Sequence, residues 1–283
     1  MNEKFRYFVK RFFSRGIITK IAFAFVLLSA IIAAFAPLIA PYDPYKTDPF
    51  NYFAKPSKEH IFGTDKIGRD IFTRVLYGAR VSILLSLLAG IVSAVIGATL
   101  GVIAGYGRSW VSNLIMRSMD AILSFPPIIF TLVIALIFGK SVFGLTMTIG
   151  LSMMPGYVRM IYGLVLQLKE NDYIVAAQLV GVSKAKIIFK HLIPNTIPNI
   201  LVMFAMHLGG GIMLESTLGF LGLGLDPPIA TWGSMVSEGF GYIFTYPLMT
   251  IVPGICITLV VIGFNIVGDA LRDALDPKLR GKI

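Results

Sequence analysis

Residues 172–195 read DYIVAAQLVGVSKAKIIFKHLIPN. This is the longest mid-chain segment that could not sit in a bilayer. It carries Asp172, Lys184, Lys186, Lys190 and His191, and long apolar runs flank it on both sides. Its local signals predict two short helices. Asp172 is placed to cap the first, and Gly181 to stop it. Ser183 is placed to cap the second, which has to end before Pro194. In the first helix Tyr173, Ala176, Ala177 and Val180 fall at i, i+3, i+4 and i+7, forming one small-residue apolar face. In the second, Ile187 and Ile188 lie opposite Lys184, Lys186 and Lys190. A pair of short amphipathic helices between membrane runs has the form of a docking piece for a soluble partner; an ordinary loop with two helical turns is the alternative.

The composition around this segment agrees with a membrane protein. The 283-residue chain is 56% hydrophobic and 14% charged, where soluble domains average about 25% charged. Its mean hydropathy is +0.79. The apolar residues come in long runs, so the expected fold class is an all-α polytopic membrane protein. Six spans are predicted: 21–40, 81–105, 121–138, 144–168, 197–219 and 247–267. A basic N-terminus, 1–20, precedes the first. A signal peptide is disfavoured because the small-residue site Ala34-Phe35-Ala36 is followed by Pro37. A polar loop, 41–80, separates the first span from a core at 81–267, and a tail, 268–283, follows. Tyr106 to Arg117 reads as a turn, the third span as one helix kinked near Pro126-Pro127, and 221–246 as a polar-edged loop.

The net charge of +10 on its own would suit nucleic acid. The basic residues instead lie in loops beside apolar runs, as membrane orientation requires. Nucleic acid is therefore excluded as a partner, and membrane lipid is the expected surrounding. The same distribution places both termini and the 172–195 loop in the cytoplasm. The single Cys256 rules out an intramolecular disulfide and a cysteine metal cluster.

Two glycine patterns need separate readings. Gly63 and Gly68 have P-loop spacing, but Arg69 and Asp70 follow where Lys and Ser/Thr are required, and no buried strand precedes them. A nucleotide site is rejected. Gly97, Gly101 and Gly105 are spaced to let helices approach closely in lipid. That stripe suits packing within the chain or contact with a second membrane-spanning chain, and both readings stay open.

The 172–195 segment resembles the EAA loop of ABC-importer permeases. In that pattern E-A-A is followed by three residues, Gly, nine residues and I-x-L-P. Ala176-Ala177, Gly181 and Pro194 match; Val175, His191 and Ile193 stand where the pattern has Glu, Ile and Leu. FGTDKIGRD at 62–70, LGLGLDPPIATWGSM at 221–235 and DALRDALDPKLRGKI at 269–283 resemble further segments of the dipeptide/oligopeptide/nickel class, and the chain is similar to the C permease of the pair. The resemblance implies a type I ABC importer permease fold with six transmembrane helices and two short cytoplasmic coupling helices. It implies that Asp172, Tyr173, Ala176, Ala177, Gly181, Ser183, Ile187 and Pro194 belong to a surface that docks an ATPase. It also implies three kinds of partner in the cell membrane: a second homologous permease, one or two ABC ATPase subunits, and an extracytoplasmic substrate-binding protein. ATP and Mg would be bound by those ATPases, and this chain would hold no cofactor.

No catalytic constellation is present, and the three histidines, His60, His191 and His207, fall too far apart along the topology to share a metal. The chain is therefore expected not to be an enzyme. Arg159, His207 and Glu215 lie inside spans and are the candidates for a substrate pathway. At about 1.5 Å rise per residue, Arg159 is about 13 Å deep. Glu215 is about 27 Å deep, near the far face of a ~30 Å core. That separation disfavours an Arg159–Glu215 pair and favours Arg159 with Asp120, a long side chain reaching toward the interface. Glu215 then lines an outer entrance or is a carboxylate satisfied at the interface. An ion-coupled secondary transporter is the alternative function; it would need a relay of such residues near the midplane.

Overall fold

The computed structural model describes residues 8–9, 11–14 and 16–275. Expectations for the rest of the basic N-terminus and for 276–283 lie outside the described residues. The described chain is helical: α1 (Ile17–Ile39), α2 (Ile71–Tyr106), α3 (Ser109–Leu123), α4 (Pro127–Phe138), α5 (Val142–Lys169), α6 (Asp172–Leu179), α7 (Lys184–Ile187), α8 (Ile193–Phe220), α9 (Trp232–Phe240) and α10 (Leu248–Leu275). Five helices are long and apolar enough to cross a membrane, counting α7 through α8 as one. A bent pair, α3 and α4, makes a sixth if it is one span.

Several boundaries differ from the sequence reading, each for a local reason. The second span starts at Ile71, ten residues earlier than hydropathy placed it. Asp70 accepts a hydrogen bond from the Thr73 amide at 2.7 Å and caps the helix. Arg74 and Arg80 hide that first stretch from an apolar count. The expected turn at 106–117 is largely α3. The expected single kinked span is two helices meeting at 102°, because Pro126 and Pro127 together remove two amide donors. The loop after α8 contains α9, started by a capping box in which Thr231 and Ser234 bond to each other's backbone.

The core sits where α2 passes between α5 and α8. It runs parallel to α5, and the glycine stripe is the contact. A Cβ on Gly97 would collide with the Cβ of Tyr157, one on Gly101 would lie 2.7 Å from Ile161 Cβ, and one on Gly105 would lie 2.6 Å from Val165 Cγ1. The stripe therefore packs within this chain. Ser93 Oγ adds a 2.6 Å hydrogen bond to the Gly150 carbonyl. On the other side Ser86 Oγ bonds the Leu208 carbonyl of antiparallel α8 at 2.7 Å. α10 lies antiparallel to α8, with Gly268 against Met206, and α1 lies on α10, with Gly263 against Val26. Phe12 is buried with Ala270 and Ala274, so the described N-terminal residues and the end of α10 share one end of the bundle.

This geometry gives a contrasting pair of substitutions. Gly97→Ala is expected to destabilise by about 1–3 kcal/mol, since α5 backbone must move to admit the methyl. Gly163→Ala, where an added Cβ meets nothing within 4 Å, is expected to be neutral or to stabilise by up to about 1 kcal/mol. Thermal midpoints of the purified full chain distinguish the two; equal midpoints would contradict the packing.

Candidate functional site

The 172–195 loop is anchored on one side and open on the other. Ile174, Ile187 and Leu192 are buried in one cluster with Val102, Ile161 and Val165, so the loop is fastened under the ends of α2 and α5. The expected apolar face of the first loop helix points away from that cluster. Ile174 goes into the core, while Tyr173, Ala176 and Val180 are exposed and Ala177 is half-buried. Leu179 and Val180 are each 84% exposed. Asn171, not Asp172, is the N-cap residue, and Asp172 occupies the first helical position. There its negative charge favours the helix N-terminus.

Gly181 closes α6. Its φ is +80°. Its amide donates to the Gln178 carbonyl at 3.0 Å, and the Val182 amide donates to the Ala177 carbonyl at 3.0 Å. That is a Schellman closure with a left-handed residue at the position after the cap. The turn at Gly181 sets the angle between α6 and α7.

The second loop helix does not end before Pro194. Ser183 caps it through the Lys186 amide at 3.4 Å, but after Ile187 the chain passes through one π-helical turn, Ile188–Leu192, directly into α8. The Ile193 amide bonds five residues back, to the Ile188 carbonyl. Pro194 is the second residue of α8, and the widened turn accommodates a residue with no amide to donate.

At the opposite end of the bundle FGTDKIGRD forms an ionic knot. Asp65 Oδ2 accepts from Arg69 Nε and Arg74 Nη1, each at 2.6 Å. Glu238, on α9, accepts from Arg69 Nη2 at 2.7 Å and Arg74 Nη1 at 2.8 Å. Asp70 also bonds His60 Nδ1 at 2.9 Å. Gly63 and Gly68 have φ of +77° and +81° and run against the carbonyls of Ala54 and Asp48. The two glycines therefore fold the loop on itself, in place of any phosphate contact. Burial pushes the Glu238 carboxyl up, but its hydrogen bond to Arg74 and the charges of Arg74 and Arg69 outweigh that and hold it below its ordinary 4.5. A carboxylate lowered on folding contributes stability above the unfolded value, and that contribution is lost as pH falls through the folded one. The loop joining α1 to α2 is therefore expected to become protease-sensitive only as pH drops below about 4.5 and on through the lower folded value. Glu238→Gln should show weaker protection at neutral pH and a flatter pH response; an unchanged profile in that variant would oppose the assignment.

The charged candidates inside the spans separate. Arg159 Nη2 lies 2.5 Å from Asp120 Oδ1, and the two side chains are 49% and 48% exposed. Glu215, expected at a watered mouth, is fully buried. The segment read as a loop covers it: Gly233 of α9 sits on Ser216, and the Trp232 amide reaches Ser82 Oγ at 3.3 Å. Glu215 is within one chain's interior and lines no entrance. His207 faces the Tyr157 ring edge-on at 5.0 Å, and its Nδ1 and the Tyr157 hydroxyl have no hydrogen-bond partner among the described residues. His60, His191 and His207 contact Asp70, Tyr173 and Tyr157 respectively, and no three His, Cys, Asp or Glu among the described residues could hold one metal ion.

Residues 97–281 match the family described as binding-protein-dependent transport system inner membrane component. The chain belongs to that family. It is a permease of the ABC-importer, peptide type. Residues 5–56 match the N-terminal TM domain of oligopeptide transport permease C. The chain is 42% identical over 250 residues to the dipeptide transport system permease protein DppC of Alkalihalophilus pseudofirmus, covering 88% of this chain and 82% of that one. It is 38% identical over 272 residues to the glutathione transport system permease protein GsiD of Escherichia coli, with 96% and 90% covered. A solved structure of the MetNI methionine ABC transporter in an inward-facing conformation matches with a TM-score of 0.60 at 16% identity. It covers 72% of this chain and 96% of its own, and shares the permease fold. An ion-coupled secondary transporter is not favoured.

The 172–195 loop is legible from the spacing of glycine, alanine and proline. The ionic knot is not legible as a unit, because Glu238 lies 164 residues from Arg74. A partial signal is the close spacing of Asp65, Arg69 and Arg74, an acid with two arginines four and nine residues on.

Proposed function

We propose that this chain forms one half of the translocation pore of an ATP-driven importer for peptides or related small solutes. It does so beside a second homologous permease, with ATPase subunits docked on the 172–195 loop and a substrate-binding protein on the opposite face. The observation that carries the reading is the loop's two-sidedness. Its inner residues are buried in the chain's own core, while Tyr173, Leu179 and Val180 present apolar side chains outward, uncovered by any of the described residues. Exposed apolar residues on a loop flanked by charges mark a protein contact. ATP and Mg belong to the docked partners, whose closure would move the loop.

Asp120 and Arg159 support the pore reading. A charged pair about 15 Å from the end of α5 and half exposed is too costly against lipid, so it faces water or a partner. A position on the pathway side, where a second permease would close the pore, accommodates both charges. The peptide cargo rests on the names of the relatives alone.

Orientation is tested by cysteine labelling in a Cys256→Ser background. Positions in 46–58 are expected to label from outside the cell, and positions in 182–186 only after permeabilisation. Labelling of 182–186 from outside would overturn both the topology and the docking role.

A further inference from the structure

We propose that a cavity at the junction of α2, α5 and the 172–187 loop binds the phosphate of an anionic phospholipid headgroup. The cavity is about 390 Å³ and is lined by Tyr106, Lys169, Gln178 and Lys184 together with Gly105, Gly107, Val182 and Ile187. That is within the size range of small-ligand sites.

Charge is the first reason. Lys169 and Lys184 both line the cavity, and no carboxylate does. Glu170 and Asp172, the nearest acids in sequence, are both exposed and outside the lining. Neither lysine is paired with a carboxylate among the described residues. The donors are the second reason. Gln178 Nε2 donates to the Tyr106 hydroxyl at 3.3 Å, which leaves the hydroxyl proton free to point at an acceptor in the cavity. Two ammonium groups and a phenol are a donor set for phosphate oxygens, and a cation would find little there.

Depth identifies the source of the phosphate. α5 has 28 residues, so it is about 42 Å long, close to the ~40–45 Å thickness of a bilayer with its headgroups. Its terminal residue is Lys169, and Tyr106 ends α2 beside it. The cavity therefore opens at headgroup level, where basic pockets between helices capture anionic lipid. Because its lining joins the end of the core to both sides of Gly181, an occupied site would tie the docking loop to α2 and α5. The proposal depends on the chain spanning a membrane and is independent of which cargo it carries.

The test is native mass spectrometry of the purified full chain. Phosphatidylglycerol, phosphatidylcholine and inorganic phosphate are each titrated as the probe. Phosphatidylglycerol is expected to remain bound while phosphatidylcholine is lost. At about 1 kcal/mol per lysine, Lys169→Gln or Lys184→Gln should weaken that binding about fivefold and the double variant about thirtyfold. Lys190→Gln removes the same charge from a loop position outside the cavity and should leave binding unchanged. If the double variant does not purify as a single species, the two single variants decide. Equal retention of both lipids, or equal losses in Lys190→Gln and the cavity variants, would overturn the site. Inorganic phosphate bound as tightly as phosphatidylglycerol would overturn the lipid as its source.

Discussion

Arg74→Met is expected to destabilise the protein by about 3 kcal/mol, near the lower end of what breaking a buried ion pair costs. Arg74 and Asp65 are each only 2% exposed, so the carboxylate at the centre of the knot cannot turn to bulk water. Removing the guanidinium leaves Asp65 and Glu238 sharing Arg69 alone, two negative charges against one positive. Arg69 already bonds both acids, which is why the cost stays at the lower end. The variant should lose SDS-titrated folded fraction at lower denaturant, with the segment 41–70 the first to be cut by protease. Arg74→Met combined with Glu238→Leu restores charge balance around Asp65 and Arg69, so it is expected to cost less than the single change. Additive losses in the double variant would show that the knot is not one coupled unit.

Gly181→Val is expected to lower transport and ATPase co-purification together by about five- to thirtyfold, the change that 1–2 kcal/mol makes in an equilibrium. Nothing stands within 4 Å of an added Cβ there, so sterics with neighbours do not enter. The cost is conformational: a residue with a side chain pays about 1–2 kcal/mol to hold the left-handed φ, and a β-branched one more. Each 1.4 kcal/mol on the docked conformer is a tenfold change in affinity. α6 has only eight residues and buries one of them, so it has little packing with which to resist being re-angled. Membrane insertion should be unaffected, since no span changes. Gly181→Asn, which tolerates that conformation, should retain most activity. Normal transport by the Val variant, or equal loss by Asn and Val, would count against the turn as the determinant of docking.

These two regions differ in how far they could be read from the chain alone. Gly181 is legible because the closure it makes is local: donor, acceptor and left-handed residue lie within six positions. The helical spans are legible because apolar length is additive along the chain. Ile71 to Arg80 are not, because a buried arginine looks exposed until its partner on α9 is known. Glu215 is misread for a similar reason. Depth along a helix separates it well enough from Arg159, but burial around the helix depends on what folds over it. The segment that does so reads as an ordinary loop. The expected end of the second loop helix before Pro194 fails, because a proline that ends an α-helical ladder is tolerated once the preceding turn is widened.

That widened turn gives the loop two mechanically different halves. α6 joins α7 through the left-handed Gly181, whereas α7 runs on through the π turn into α8 with no loop between them, so that Lys184 to Phe220 spans 37 residues, about 55 Å at helical rise. Ile187 is buried, so a partner on the loop meets α7 at its exposed residues Lys184, Ala185 and Lys186. A push there is expected to tilt α8 about its contacts with Ser86 and Gly268 and so to move its two ends in opposite directions. The far end is where α9 lies over Glu215. The loop would then act as a crank on the end that α9 covers, with the turn at Gly181 fixing the angle at which α6 joins it.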